Sequence, residues 1–404
     1  MSYLPLDIWK IIFGLLEFKE KINLISTCKY LRQHLNIIDL YNIDEKYLKK
    51  LTTEILRFYI FRNVVCLNIS YNYNINDISF MKNLKKLNAS YCKINQNNIK
   101  ELDLIELNVD NNFKITNVSF MKNLKILYAQ NNCGIDQDGI KGLDLYKLHI
   151  NDNYNIVDVS FMKNLKILNA YGCYRIKQNG IEGLDLIELN IRYNYMIKNI
   201  SFMKNLNKLN ISDYCGIDQN GIKGLDLIKL NISRNYKIKD VSFMKNLKKL
   251  EANNCEIEQS SIEGLDLIEL YIGYADNIVD ISFMKNLKKL NVSGNCGIDQ
   301  DNIIGLDLIK LNANYNDKIK NVTFMKNLKI LEANGNCGID QNGIKGLDLT
   351  KLYVNDNNKI NDVSFMKNLK KLDACYGSGI DKKGIKNLNL IKLRSINNHK
   401  INYK

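Results

Sequence analysis

A six-residue motif recurs through most of the chain and constrains its fold more than any other feature. Ser-Phe-Met-Lys-Asn-Leu begins at residues 79, 119, 160, 201, 242, 282 and 364, and a copy with Thr in place of Ser begins at 323. Successive copies are 40 or 41 residues apart. A period of this length predicts a repeat protein in which each unit packs only against its neighbours, so the 404 residues need not divide into several globular domains.

Each unit contains two similar halves, so the structural period is about 20 residues. In the first unit, Leu84 and Leu87 are followed 20 residues later by Leu104 and Leu107. Both halves follow Leu-x-x-Leu-x-Leu-x-x-Asn/Cys with small deviations. The Leu-x-Leu core predicts a short strand, and the Asn or Cys is expected to bond or pack against the backbone where the chain leaves that strand. Over roughly residues 64–404 this pattern resembles the leucine-rich repeat.

The resemblance implies an α/β fold, a curved, horseshoe-shaped solenoid of about seventeen short parallel strands. The central leucines of these strands are Leu67, Leu87, Leu107, Leu127, Leu148, Leu168, Leu189, Leu209, Leu230, Leu250, Leu270, Leu290, Leu311, Leu331, Leu352, Leu372 and Leu393. No single turn can bury its apolar side alone, so we expect neighbouring turns to share one continuous core.

The first 40 residues do not share the repeat and predict three short helices, at 7–16, 19–26 and about 27–35. Leu-Pro-Leu-Asp-Ile-Trp at 4–9 and Leu-Ile-Ser-Thr-Cys-Lys at 24–29 resemble the two conserved stretches of the F-box. The departures from the family pattern are Asp7, Trp9, Lys21, Thr27 and Leu31. The alternative is that these helices only cap the open edge of the first repeat.

The F-box resemblance implies binding to the adaptor Skp1. The residues that would make this contact are Leu4, Pro5, Ile8, Ile12, Leu16, Leu24 and Cys28. We therefore predict an F-box helical domain at 1–40, a helical connector and N-terminal cap at 41–63, and the leucine-rich-repeat solenoid at 64–404. In the connector, apolar residues from Tyr47 to Tyr59 keep helical spacing and predict one helix.

The residues on either side of each central leucine are expected to face the concave side of the solenoid. The following residue is usually Asn, but most exceptions lie in the last third of the chain. This variation predicts a target-binding strip, with candidates Glu251, Tyr271, Glu332, Tyr353, Asp373, Arg394, Lys310 and Lys351. Drift among exposed positions would give the same variation.

The chain is basic, with 57 Lys and Arg against 43 Asp and Glu and a net charge of +14. Such a charge can indicate a nucleic-acid partner, but abundant Lys, Asn, Ile and Tyr together are also typical of A/T-rich coding. We see no aromatic-plus-basic stripe of the kind that single-strand binders use, and do not expect a nucleic-acid partner. With no signal peptide and no long apolar run, we expect an intracellular monomer, in cytoplasm or nucleus, without a membrane span.

No catalytic or metal-binding constellation is evident, so we expect no enzyme activity, no cofactor and no metal. The three histidines, His34, His149 and His399, lie in different regions and have no nucleophile placed by a motif. All ten cysteines are expected to be thiols, and seven of them recur near strand exits two turns apart, too far for bridges along the stack, where they are expected to be buried.

These features together predict a substrate-recognition subunit of an SCF-type (Skp1-cullin-F-box) E3 ubiquitin ligase. The F-box would bind a Skp1-like adaptor and through it the cullin complex, while the concave face would hold an unknown target protein. A leucine-rich-repeat interaction scaffold outside ubiquitin chemistry is the first alternative, and a basic nucleic-acid-binding solenoid is the second.

Overall fold

The computed structural model describes residues 5–402, and their contacts divide into two compact units, 1–196 and 197–404. Unit 1 begins with three helices, α1 (Leu6–Leu15), α2 (Phe18–Thr27) and α3 (Lys29–His34), each within two residues of its predicted bounds. No helix within the described residues is long and apolar enough to cross a membrane.

The segment that follows α3 differs from its prediction. It contains a two-residue strand, β1 (Asp39–Leu40), two short helices, α4 (Glu45–Leu48) and α5 (Thr53–Leu56), and a 3-10 turn at Tyr59–Phe61. The single predicted helix is therefore wrong. Its apolar spacing is interrupted because the side chains of Asp44 and Thr52 each accept a backbone N–H and start a separate helix.

The rest of unit 1 is a stack of short parallel strands. They are β2 (Cys66–Asn68), β3 (Lys86–Asn88), β4 (Glu106–Asn108), β5 (Ile126–Tyr128), β6 (Lys147–His149), β7 (Ile167–Asn169) and β8 (Glu188–Asn190). From β1 to β8 each strand pairs in parallel with the next, leucine opposite leucine. The outer side carries α6 (Gln96–Ile99) and 3-10 turns at Asp138–Ile140 and Gln178–Ile181.

Unit 2 repeats this arrangement. Its strands are β9 (Lys208–Asn210), β10 (Lys229–Asn231), β11 (Lys249–Glu251), β12 (Glu269–Tyr271), β13 (Lys289–Asn291), β14 (Lys310–Asn312), β15 (Ile330–Glu332), β16 (Lys351–Tyr353), β17 (Lys371–Asp373) and β18 (Lys392–Arg394). The remaining elements are α7 (Gln300–Ile303), α8 (His399–Asn402) and 3-10 turns at Asn220–Ile222, Gln259–Ser261 and Asn342–Ile344. All neighbouring strands from β9 to β18 are parallel.

The central leucines form the core of both units. All seventeen predicted leucines lie at the middle of strands β2 to β18, and every one except Leu393 is at most 3% exposed. Leu393 lies on β18, beyond which the described residues contain no further strand, and it is 41% exposed. The predicted leucine-rich-repeat solenoid is confirmed, with β1 as one strand more than the sequence predicted.

Buried asparagines hold the chain where it leaves alternate strands. In unit 1, the Asn153 amide donates to the carbonyls of Ala129 and Ile135 at 2.9 and 3.0 Å, and its oxygen accepts the N–H of Asn155. The same arrangement recurs at Asn72, Asn112, Asn194, Asn235, Asn316, Asn357 and Asn398. Each of these side chains satisfies backbone groups that would otherwise be buried without partners, so the predicted role of this position is confirmed.

Candidate protein-interaction surfaces

Helix α1 presents apolar side chains to solvent. Phe13 is its one buried residue, whereas Ile8, Ile11 and Leu15 are 41%, 61% and 84% exposed. A ten-residue helix that packed fully on its own domain would bury such side chains. The exposed side of α1 is therefore an apolar surface that none of the described residues of unit 1 covers.

The structure describes six of the seven predicted adaptor-binding residues. Pro5 and Ile8 are exposed, Ile12, Leu16, Leu24 and Cys28 are half-buried, and Leu4 lies outside the described residues. Ile11 and Leu15, which the prediction left out, are the most exposed apolar residues of the helix. Their i, i+4 spacing was visible in the sequence, but the pattern could not show which side of α1 is covered.

Two sets of hydrogen bonds order the helices that follow α1. Glu17 and Glu20 form a capping box at the start of α2, with the Glu17 N–H donating to Glu20 Oε2 at 2.9 Å. At the other end of α2, the Arg32 guanidinium donates to the carbonyls of Ile25 and Ser26 at 3.3 and 3.2 Å. Arg32 thus holds α3 against the C-terminus of α2, where carbonyl groups lack helical partners.

The charges of the predicted target-binding strip in unit 2 are largely paired with one another. Lys249 Nζ lies 2.8 Å from Glu251 and 3.5 Å from Glu269, and Lys289 Nζ lies 2.7 Å from Glu269. Burial raises the pKa of Glu269, but the hydrogen bond and charge of Lys289 and the charge of Lys249 outweigh it and hold that pKa below its ordinary value. Tyr271 donates from its hydroxyl to Glu269 at 3.2 Å.

Similar pairs continue along the strip. Lys310 contacts Glu332 at 2.7 Å, and Arg394 lies 3.6 Å from Asp373. The face of Tyr353 is covered by Lys371 Nζ, 4.8 Å from the ring centroid. Lys351 is exposed. The structure therefore brings the predicted residues together, but most of their polar groups are already engaged within the sheet.

The concave face of unit 1 carries a different group of side chains at β5 to β7. The rings of Tyr128 and His149 meet edge to face, with centroids 4.8 Å apart. Burial, helped by the charge of Lys147, lowers the pKa of His149 to about 4, so the imidazole is neutral at pH 7. Both residues stand where the strands usually carry Asn, and neither is among the predicted target-binding candidates.

A chain of hydrogen bonds crosses the same face. The Gln130 side chain donates to Asp110 at 2.9 Å and accepts from the Asn151 amide at 2.5 Å. Burial raises the pKa of Asp110 above its ordinary value, although bonds from Gln130 oppose the shift. The chain ends at Asn151, whose Oδ1 is buried without a partner, as is Oδ1 of Asn169 on the next strand. Two buried acceptors without donors on adjacent turns are unusual in a folded protein.

Tyrosines line the turns that follow the strands. The residue four positions after every central leucine has positive φ, and six of these residues are Tyr71, Tyr91, Tyr193, Tyr274, Tyr315 and Tyr376. Bulky side chains rarely adopt this conformation. Glycine in the next turn accommodates two of the rings, because a Cβ at Gly294 or Gly335 would collide with Tyr274 or Tyr315.

A second aromatic row in unit 1 lies beside basic residues. Tyr154, Tyr174 and Tyr195 follow one another at 5.0 and 6.2 Å between centroids, and Arg175 and Lys177 line the same cleft as Tyr174. The row therefore places aromatic and basic side chains next to one another in unit 1.

The cysteines are thiols. All ten are free, and the seven from Cys133 to Cys375 are buried. Burial raises the pKa of Cys133 and of Cys173 to about 12, so these thiols stay protonated and unreactive at neutral pH. Among residues 5–402 no group of His, Cys, Asp or Glu is arranged to hold a metal ion.

Comparisons with known proteins give one domain match and several structural alignments. The F-box domain model matches residues 1–43. A search of curated proteins finds no match. Among solved structures, a TLR13–ssRNA13 complex aligns with a TM-score of 0.51 at 18% identity, covering 81% of this chain and 60% of that chain. This chain therefore spans less than two thirds of that relative, and at this identity the likeness shows the fold alone.

Two further structures align less closely. The leucine-rich-repeat protein LIC12759 of Leptospira interrogans has a TM-score of 0.37 at 18% identity, over 85% of this chain and 92% of that one. The Rad7–Elc1 complex of yeast has a TM-score of 0.46 at 16% identity, over 91% and 90%. Residues 1–43 therefore match the F-box domain, and the described residues that follow form a leucine-rich-repeat solenoid of parallel strands.

Proposed function

We propose that this protein is the substrate-recognition subunit of an SCF-type E3 ubiquitin ligase. Its F-box binds a Skp1-like adaptor, which joins it to the cullin complex, and its leucine-rich repeats hold a target protein. The observation that carries this proposal is the exposed apolar side of α1 within the residues that match the F-box model.

The apolar side of α1 would gain free energy if a partner protein covered it, compared with its exposure to water. Ile8, Ile11 and Leu15 expose much of their side chains, and covering apolar area contributes about 25 cal/mol per Å². Ile12 and Leu16 extend the apolar surface at its edge. The capping box and Arg32 order α2 and α3, the helices that follow α1, which limits the entropy that these two helices would lose on binding.

The repeats would position a target protein and would not themselves catalyse ubiquitin transfer. A bound target would be held near the ubiquitin-transferring partner, so that its effective concentration at that active site rises without any catalytic residue in this chain. We infer that the protein acts inside the cell, in cytoplasm or nucleus, as a monomer that assembles with the adaptor and cullin. The paired Lys and Glu residues of the unit 2 strip remain candidates for target contact, together with the unit 1 face.

A pull-down with purified Skp1 tests the proposal. The double variant Ile8→Asp, Ile11→Asp places two charges on the exposed side of α1 and should abolish Skp1 binding. Lys19→Glu, an exposed change on α2, is the matched control and should bind normally. Circular dichroism should be the same for all three proteins, because neither Ile8 nor Ile11 belongs to the core.

Failure of the unchanged chain to bind Skp1 would contradict the proposal and favour an interaction scaffold outside ubiquitin chemistry. Equal Skp1 binding by the double variant and the control would show that α1 is not the contact surface.

A further inference from the structure

We propose that the concave face of strands β5 to β7 binds an extended peptide segment of the target protein. The residues concerned are Tyr128, His149, Asn151, Asn169 and Tyr171, called here the unit 1 patch. The inference rests on the proposed function and deepens it, because it names the class of ligand and the place where the solenoid holds it.

Asn169 departs from a rule that the other concave asparagines obey. At eight positions in this row, the side-chain oxygen accepts the backbone N–H two residues further on: Asn68, Asn88, Asn108, Asn190, Asn210, Asn231, Asn291 and Asn312. Oδ1 of Asn169 has no partner and is buried. The same residue type in the same register therefore has an unmet acceptor at β7.

Asn151 departs from a second rule in the same way. Its counterparts in unit 2 are Asn253, Asn314, Asn334 and Asn355, and each accepts the N–H of the next turn at 2.7 to 2.9 Å. Oδ1 of Asn151 accepts nothing, although its amide nitrogen is bound to Gln130. An acceptor that folding leaves unpaired costs stability, and a donor supplied by a ligand removes that cost.

Cationic side chains lie at the two ends of the patch. Lys147 Nζ lies 5.2 Å from the centroid of the Tyr128 ring, and the Arg192 guanidinium lies 5.4 Å from that of Tyr171. The patch therefore offers acceptors at its centre, a donor, Lys147, at one end and aromatic contact area beside them. A peptide main chain, which alternates N–H and C=O groups and carries side chains on both sides, complements all three features.

The charge balance favours a peptide over a nucleic acid. The residues one before, one after and three after the central leucines of β3 to β8 include three cations, Lys86, Lys147 and Arg192, and three carboxyl groups, Glu106, Asp110 and Glu188. Lys86 is paired with Glu106 at 3.1 Å. A polyanion would gain little from a face whose charges cancel, whereas a largely neutral main chain loses nothing there.

Selection from a random 12-residue peptide library displayed on phage tests the inference on the full-length protein. Peptides that bind the unchanged chain should lose at least about tenfold in affinity with Tyr171→Ala and with Asn169→Leu. Asn169→Asp keeps an acceptor at Oδ1 and should retain most of the binding. Tyr315→Ala removes an exposed tyrosine of unit 2 outside the patch and is the matched control.

Skp1 binding by every variant is measured in parallel, so that loss of the fold or failure of the adaptor function is recognised separately. Peptides that bind all variants equally, or a library that enriches no sequence over the Tyr171→Ala protein, would overturn the inference. Binding of oligouridylate that is lost in the same variants, in place of peptide binding, would assign the patch to single-stranded RNA and would also overturn it.

Discussion

The two units have the same arrangement of parallel strands, but the polar side chains of their concave faces are hydrogen-bonded differently. In unit 2, Asn314, Asn334 and Asn355 each accept a backbone N–H from the next turn, and the charged side chains around them form ion pairs. In unit 1, the corresponding chain of amides stops at Asn151, and Asn169 on the neighbouring strand is also unsatisfied. Most polar groups of the unit 2 strip are engaged within the sheet, whereas the unit 1 face has two buried acceptors whose donors a ligand can supply.

This comparison shows that the face with the more variable residues is not the face with the more unpaired hydrogen-bonding groups. The unit 2 strip varies more in residue type, yet Lys249, Glu251 and Glu269 satisfy one another. A partner would have to displace such pairs before it gained new contacts, and exposed or half-exposed ion pairs return little energy. Unmet hydrogen bonds are a stronger indication of a binding surface than variable charge.

The largest expected loss of stability comes from the buried asparagines that both units contain. Asn153→Ala in unit 1 and Asn357→Ala in unit 2 each remove a buried amide that bonds two carbonyls and one N–H. Each should lower the free energy of unfolding by about 2–4 kcal/mol. Urea denaturation should give similar losses for both variants, and a loss in one unit alone would contradict a shared structural ladder.

The next largest effect is a pH-dependent loss of stability caused by His149 in unit 1. The pKa of His149 is lowered to about 4, against 6.5 when unperturbed, so protonation favours the unfolded chain. Stability from this group is present above pH 6.5 and is lost as pH falls toward 4. Because the ring is only half-buried, the loss should be about 2 kcal/mol rather than the full linkage value.

His149→Asn provides the matched variant, since Asn is the usual residue at this position of the strands. Thermal denaturation between about pH 7 and pH 4 should show a smaller acid-dependent decrease in Tm for the variant than for the unchanged chain. Parallel decreases would show that His149 is not the group responsible.

The smallest expected change in stability distinguishes a bonded asparagine in unit 2 from an unbonded one in unit 1. Asn312→Leu in unit 2 removes the acceptor of the Asn314 N–H and should cost about 1 kcal/mol. Asn169→Leu in unit 1 removes an oxygen that has no donor, so stability should be unchanged or slightly higher. Equal losses in chemical denaturation would mean that Asn169 is as well bonded in solution as Asn312.

The sequence predicts the repeats well because their determinants are local and periodic. The central leucines recur at fixed spacing, and all seventeen lie on strands. The helices of the F-box are also predicted to within two residues. In contrast, β1 is only two residues long and exists because it pairs with β2, a contact that no local pattern encodes.

The unit 1 patch could not be predicted for a related reason. Asn68 and Asn169 occupy the same register with the same residue type, yet one amide oxygen is bonded and the other is not. Which state occurs depends on side chains of neighbouring strands, such as His149, which lies directly opposite Asn169. The sequence does show that Tyr128 and His149 interrupt the asparagine row, and that interruption is the signal that could have drawn attention to β5 and β6.

The most direct test of the account is a calorimetric titration of the full-length protein with Skp1, comparing the unchanged chain with Leu15→Asp. Leu15 is 84% exposed, so it contributes little to folding and a change there reports on binding alone. The account predicts a weakening of at least about tenfold with an unchanged Tm. Unchanged affinity would show that α1 does not bind the adaptor through its exposed side and would contradict the central claim.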